Sequence, residues 1–229
     1  MEIKKYKIYV ATQKDQIDKT TVWENIRKYK LKSLHCLHND RSLAKVYNEC
    51  IDDALDNNLD CLILVHDDVI LEEDPIPKLE KLFDDYDLVG VAGTSKIELK
   101  SPALWHLMGG GFEGGNLHGC VQHIQEAFYG AAHDYDTKVK SNFGTYPHKV
   151  VMIDGVFMAL NRKAMETMRF DEDCPSKFHF YDLQYSLDFH LAGGRVGVGD
   201  ILITHESPGL REFTEEWKAG EKYFLDRYK

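Results

Sequence analysis

The sequence predicts an α/β fold with a mostly parallel central sheet and helices on both faces. Three observations carry that expectation. Strand-like and helix-like segments alternate through residues 6–93, the pattern of βαβ units joined by right-handed crossovers. The run Cys61-Leu62-Ile63-Leu64-Val65 is apolar throughout, as a strand covered on both faces requires. The clearest helical stretch, residues 42–57, sets Leu43, Tyr47, Cys50, Ile51, Ala54 and Leu55 in one stripe.

In order, residues 6–12 read as a strand, 21–29 as a short helix with Val22 and Ile26 on one side, and 33–37 as a second strand. Ser42 caps the long helix and Asn57-Asn58 ends it. After the apolar strand, residues 77–86 form a helix behind Asp74-Pro75, and 88–93 a strand. Residues 1–93 thus form a nucleotide-binding layer. Residues 94–149 break the alternation with six glycines between Gly109 and Gly119 and histidines 106, 118, 123, 133 and 148, the mark of a loop-rich lid or binding insertion. The alternation resumes in residues 150–229. Here 150–160 is a long strand interrupted at Asp154-Gly155, 181–192 a helix stopped by Gly193-Gly194, 195–204 a strand, and 212–228 an amphipathic terminal helix. The whole chain, 1–229, is expected to form one domain.

Composition narrows the function. The 229 residues carry 28 Lys+Arg against 38 Asp+Glu, a formal charge of −10, which disfavours nucleic acid and anionic membranes as partners. No apolar run is long enough for a transmembrane segment, and the charged start does not read as a signal peptide. Five scattered cysteines with no CxxC spacing fit a reduced, cytoplasmic protein in which they act as small buried hydrophobes.

Four places could carry chemistry. His66-Asp67-Asp68 follows the apolar strand, where open parallel sheets bind ligands, and strand parity sends His66 and Asp68 to one side and Asp67 to the other. Such carboxylates suit Mn²⁺ or Mg²⁺ with a phosphate ligand; they equally suit the start of a solvated acidic loop. Asp154-Gly155 inside an apolar strand calls for either a ligand close to the backbone or a β-bulge. Asp182, in His179-Phe180-Tyr181-Asp182, sits where a helix starts and serves as a cap or a general base. His205 ends the last strand as a metal ligand or a structural residue, and Gly209 rules out an HExxH motif. Gly109-x-Gly111-x-x-Gly114 spells GxGxxG without the strand and helix that give the motif meaning, and no Walker A or GxSxG motif is present. Of the insertion's histidines only His106 and His118 remain as acceptor-site candidates.

In order, Tyr47-Asn48, Leu64-Val65-His66-Asp67-Asp68-Val69, Asp154-Gly155-Val156-Phe157-Met158-Ala159, Phe170-Asp171-Glu172, His179-Phe180-Tyr181-Asp182 and His205-Glu206-Ser207 resemble the family 2-like glycosyltransferases, in the branch of the streptomycin-biosynthesis type. The resemblance runs from about Tyr6 to Gly209. It implies the single-domain glycosyltransferase A fold and a nucleotide-sugar donor. The acceptor would be a glycan, a lipid-linked molecule or a small molecule. Asp68 stands at the second Asp of the family's Asp-x-Asp metal motif, with His66 in place of the first and Asp67 able to take over its ribose contact. The resemblance further implies Asp182 as the base that deprotonates the acceptor, with inversion, and His205 as a completing metal ligand. It places Thr12, with Asp40 and Asn48, against the nucleotide. Asp154, Gly155, Trp105 and His179 are expected on the acceptor side. A metal-dependent hydrolase using His66, Asp68, His179, Asp182 and His205, and a non-catalytic glycan-binding relative, are the competing readings.

Overall fold

The computed structural model describes residues 1–124, 138–207, 209 and 212–229, so His133 and Pro208 lie outside the described residues. The chain runs β1 (Tyr6–Ala11), α1 (Val22–Lys28), β2 (Ser33–Cys36), α2 (Leu43–Asp56), β3 (Cys61–Val65), β4 (Val69–Leu71), α3 (Ile76–Asp85), β5 (Leu88–Gly90) and β6 (Ala92–Thr94). It continues through α4 (Trp105–Met108), β7 (Leu117–Ile124), β8 (Lys138–Gly144), β9 (His148–Lys149), β10 (Met152–Ile153) and β11 (Phe157–Asn161). The last elements are α5 (Arg162–Thr167), α6 (Tyr181–Leu191), β12 (Val196–Val198), β13 (Ile203–His205) and α7 (Glu215–Tyr228).

The α/β class stands, with two sheets. The larger is ordered β2-β1-β3-β11-β5-β12-β9 and the smaller β10-β6-β7-β13-β4, with β8 paired to β7. The expected parallel pairing holds for β2-β1-β3 and for β5-β12, but β11 enters antiparallel to both β3 and β5, so the sheet is mixed. Strand β3 is buried at every position. Cys61, Ile63 and Val65 face one apolar cluster while Leu62 and Leu64 face the other, which is why this run alternates nothing. The side chain of Ser42 caps α2 by accepting from Lys45 N, as its position suggests.

Three expected strands are each two short ones, because the chain crosses from one sheet to the other within them. Residues 88–93 split into β5 and β6, 150–160 into β10 and β11, and 195–204 into β12 and β13. Asp154-Gly155 marks such a crossing and is not a bulge in one strand. The insertion is also less loop-like than expected. Its residues 117–121 are buried, and β7 is the middle strand of the smaller sheet, pairing with β6, β13 and β8. Period-two patterning could not reveal it, since a strand buried at successive positions and rich in Gly and His shows no alternation. Among the described residues no helix is long and apolar enough to cross a membrane.

One buried charge network holds β5 in place. Asp87 is 1% exposed; Arg195 donates to it through Nε and Nη2, Lys163 through Nζ and Asn161 through Nδ2. Burial would raise this carboxyl, yet the donors from Arg195, Lys163 and Asn161 hold it well below its ordinary value. A depressed carboxyl contributes stability above its unfolded value and loses it as pH falls. Asp87→Ala is expected to cost about 3–5 kcal/mol in urea denaturation at neutral pH, and a loss below about 1 kcal/mol would contradict the network.

Candidate active site

The carboxyl ends of β1 and β3 open on a cleft of about 550 Å³ lined by Thr12, Lys14, Tyr47, His66, Asp67 and Asp68 among others. Residues 66–68 leave β3 and are pinned at both ends: His66 N donates to Val156 O at 3.2 Å, and Thr21 N donates to Asp67 O at 2.8 Å. The expected parity holds. Asp67 turns to the first strand, where the buried Thr12 hydroxyl donates to it and Lys14 Nζ lies 3.6 Å away. His66 and Asp68 turn to the opposite side.

There they meet His205. Antiparallel pairing of β13 with β4 sets His205 opposite Val69, and Glu206 N donates to Asp68 O at 3.0 Å, which brings the imidazole beside Asp68. His205 Nε2 stands 3.2 Å from Asp68 Oδ1. Both atoms are buried and neither has a well-formed hydrogen bond. Burial raises Asp68, but the neighbouring His205 lowers it more, so the carboxyl is depressed. Burial lowers His205, and Asp68 more than reverses this, so the imidazole is raised. His66 is pushed down by burial and by His205. One ligand atom from each of His66, Asp68 and His205 fits within 4.8 Å. Two imidazoles and a carboxylate with orphaned, convergent atoms form a donor set for a divalent cation.

A second cleft of about 530 Å³ shares His66, Phe178 and His179 with the first and is further lined by Trp105, Asp154, Asp182, His205 and Trp217. Asp182 opens α6. That helix, which begins at Tyr181, is preceded by Phe180, a buried residue with φ +69°, a conformation that costs a non-glycine residue of order 1–3 kcal/mol. The terminal helix holds that strained residue in place, with Trp217 and Phe224 ring centroids 5.2 and 5.9 Å from Phe180. Asp182 accepts from Gly155 N at 2.7 Å. Burial, and then the charge of Asp154, push its carboxyl up to about 7.

Asp154 is satisfied by Trp105 Nε1, which donates at 2.8 Å, and by Val156 N at 2.9 Å, which explains a carboxylate within an apolar segment. Gly155 has a different cause from the two expected. A Cβ there would lie 2.3 Å from Tyr181 Oη and 2.8 Å from Asp182 Cβ, so the glycine is what lets α6 dock on the crossing.

Several expected site residues fall elsewhere. Asn48 spends its amide on the 170–172 segment, donating to Phe170 O at 3.0 Å and Glu172 Oε1 at 2.7 Å and accepting from Phe170 N. It ties α2 to that segment and lines neither cleft. Asp40 is exposed, lines neither cleft, and receives Lys177 Nζ on its carbonyl. His118 hydrogen-bonds Ser95 at 3.0 Å and stacks on His148 at 3.6 Å, away from both clefts, and His106 lines neither. Sequence reasoning assigned no role of their own to Lys14, Phe178, Tyr181 and Trp217. Lys14 carried a weak signal, two residues past Thr12; Phe178 and Tyr181 stood in the segment that ends at Asp182, and Trp217 in the terminal helix.

Residues 24–228 match the model of a glycosyltransferase-like family. The streptomycin biosynthesis protein StrF of Streptomyces griseus is 29% identical over 190 residues, an alignment covering 81% of this chain and 60% of that protein. The chain thus spans about 60% of the length of that relative. Among solved structures, the A197 protein from STIV superposes with a TM-score of 0.51 at 12% identity, over 86% of this chain and 82% of that one. This likeness concerns the fold alone.

Proposed function

This chain belongs to the glycosyltransferase-like family, and from that membership we propose that it moves a sugar from a nucleoside-diphosphate donor to an acceptor hydroxyl, with inversion at the anomeric carbon. The carrying observation is that the two clefts meet at His66 and His179, with Asp67 and Asp68 on one side of the junction and Asp182 on the other. A donor in the first cleft would lay its nucleoside along Thr12, Lys14 and Tyr47 and present its sugar at the junction. The acceptor, a glycan, lipid-linked or small molecule, would enter the second cleft beside Trp105, Asp154 and His179.

Asp182 takes the proton of the acceptor hydroxyl as that oxygen bonds to the anomeric carbon. The bond from that carbon to the diphosphate oxygen breaks on the far face, and the nucleoside diphosphate leaves with the electron pair. A single displacement of this kind inverts the centre. His66, Asp68 and His205 would hold the divalent cation, which when bound offsets charge on the departing diphosphate. The two imidazoles favour Mn²⁺ over Mg²⁺, a harder ion that prefers oxygen ligands. The five free thiols support a reducing, cytoplasmic setting for this reaction.

Calorimetric titration of the pure chain with a panel of nucleoside diphosphates is expected to find one that binds with Mn²⁺ and at least about tenfold more weakly with Mg²⁺. Absence of binding by every nucleoside diphosphate with either ion would sink the reading. So would sugar-nucleotide cleavage whose rate no acceptor changes, which is the behaviour of a hydrolase.

A further inference from the structure

Tyr181 is buried in the wall of the second cleft, and neither the donor nor the acceptor reading uses it. Its hydroxyl touches two groups: His66 Nε2 at 2.8 Å and Gly155 O at 3.3 Å. The approach to Gly155 exists only because that residue has no side chain, since a Cβ there would lie 2.3 Å from the hydroxyl oxygen.

The number of protons decides the direction of these bonds. Gly155 O can only accept, and the tyrosine hydroxyl has one proton to give. If that proton went to His66 Nε2, the hydroxyl would have none for the buried Gly155 carbonyl. If His66 Nε2 carries a proton and donates to Tyr181, the hydroxyl donates to Gly155 O and all three atoms are served. Leaving a buried polar group unserved costs enough to choose between the two arrangements. The imidazole is then the Nε2–H tautomer, and Nδ1 is its one lone-pair nitrogen.

We propose that Tyr181 is a positioning residue: through the relay His66 Nε2–H to Tyr181 Oη–H to Gly155 O, it fixes the His66 tautomer and leaves Nδ1 as the nitrogen offered to a cation. A ligating histidine ordinarily has its other ring N–H held by such a partner. The consequence for the cation rests on the metal reading proposed above, whereas the tautomer does not. The tyrosine ring has its own packing role, edge-on to Tyr47 at 5.4 Å and tilted to Phe170 at 6.2 Å, which phenylalanine would keep.

The test is a long-range ¹H–¹⁵N correlation spectrum of ¹⁵N-histidine-labelled, metal-free protein at about pH 8, above the ordinary imidazole value. His66 is assigned by its absence in His66→Gln. The wild type is expected to show His66 protonated at Nε2, and Tyr181→Phe a mixture of tautomers, with Tm a few degrees lower because Gly155 O loses its donor. Mn²⁺ affinity, read by paramagnetic resonance of the free ion, is expected to fall about 10- to 100-fold in Tyr181→Phe. His66 protonated at Nδ1 in the wild type overturns the proposal, as does a Tyr181→Phe protein with unchanged tautomer. If the wild type has the Nε2–H tautomer but binds no Mn²⁺, the relay stands and the metal reading falls.

Discussion

Asp182→Asn is expected to lower kcat by about 10²- to 10⁴-fold, the usual loss when a general base is removed, while nucleoside-diphosphate affinity is retained. Asparagine keeps the shape and can still accept from Gly155 N, so the loss reports the proton-accepting function. Burial and the nearby Asp154 push the Asp182 carboxyl up to about 7. The base works deprotonated, so the wild-type rate is expected to climb with pH through about 7 to a plateau above it. Stability runs the other way. A carboxyl whose folded value is raised contributes fully below its unfolded value, and that contribution is lost as pH rises through about 7. Asp182→Asn is therefore expected to melt at a higher temperature than wild type above neutrality, with the difference closing in acid. Calorimetric scans at the two ends of that range, beside the rate profile, check both statements. A variant with wild-type kcat removes the base assignment, and identical melting at both pH values removes the burial argument.

The second large effect is expected from Asp68→Ala, which takes away the sole carboxylate among His66, Asp68 and His205. Mn²⁺ affinity should fall by more than the roughly 10- to 100-fold that losing a supporting contact costs. The Mn²⁺-dependent part of donor affinity should vanish with it. What binding remains measures Thr12, Lys14 and Tyr47, which line the first cleft independently of the cation cluster. Titration of wild type and variant with Mn²⁺, then with the donor diphosphate, reads the two losses separately. Unchanged Mn²⁺ binding in Asp68→Ala would refute the cluster as the metal site.

Much of the candidate site was legible because its signals are local. An acidic pair directly after a wholly apolar strand states its position at the strand's end, and parity alone separates Asp67 from His66 and Asp68. The start of α6 at Tyr181-Asp182 was equally local, read from helical spacing and the paired glycines behind it. Asn48 and Asp40, which line neither cleft, were less legible, because a polar residue on or near a site-facing helix looks the same whether it meets a ligand or another loop. The partners of Asn48 lie in the 170–172 segment, and no spacing in sequence announces them.

From the residues alone came the α/β class, the doubly buried third strand, and the separate candidacies of the acidic pair at its end, of Asp182 and of His205. Those properties depend on neighbours within a few positions, where side-chain periodicity and turn chemistry operate. The tertiary structure alone decided that three apparent strands are crossings between two sheets, that β7 belongs to the smaller sheet, and that Gly155 serves the docking of α6. It also decided that His205 meets Asp68, through the register of β13 against β4. Such contacts are selected by the packing of distant segments into one dense interior, a choice that local periodicity does not encode.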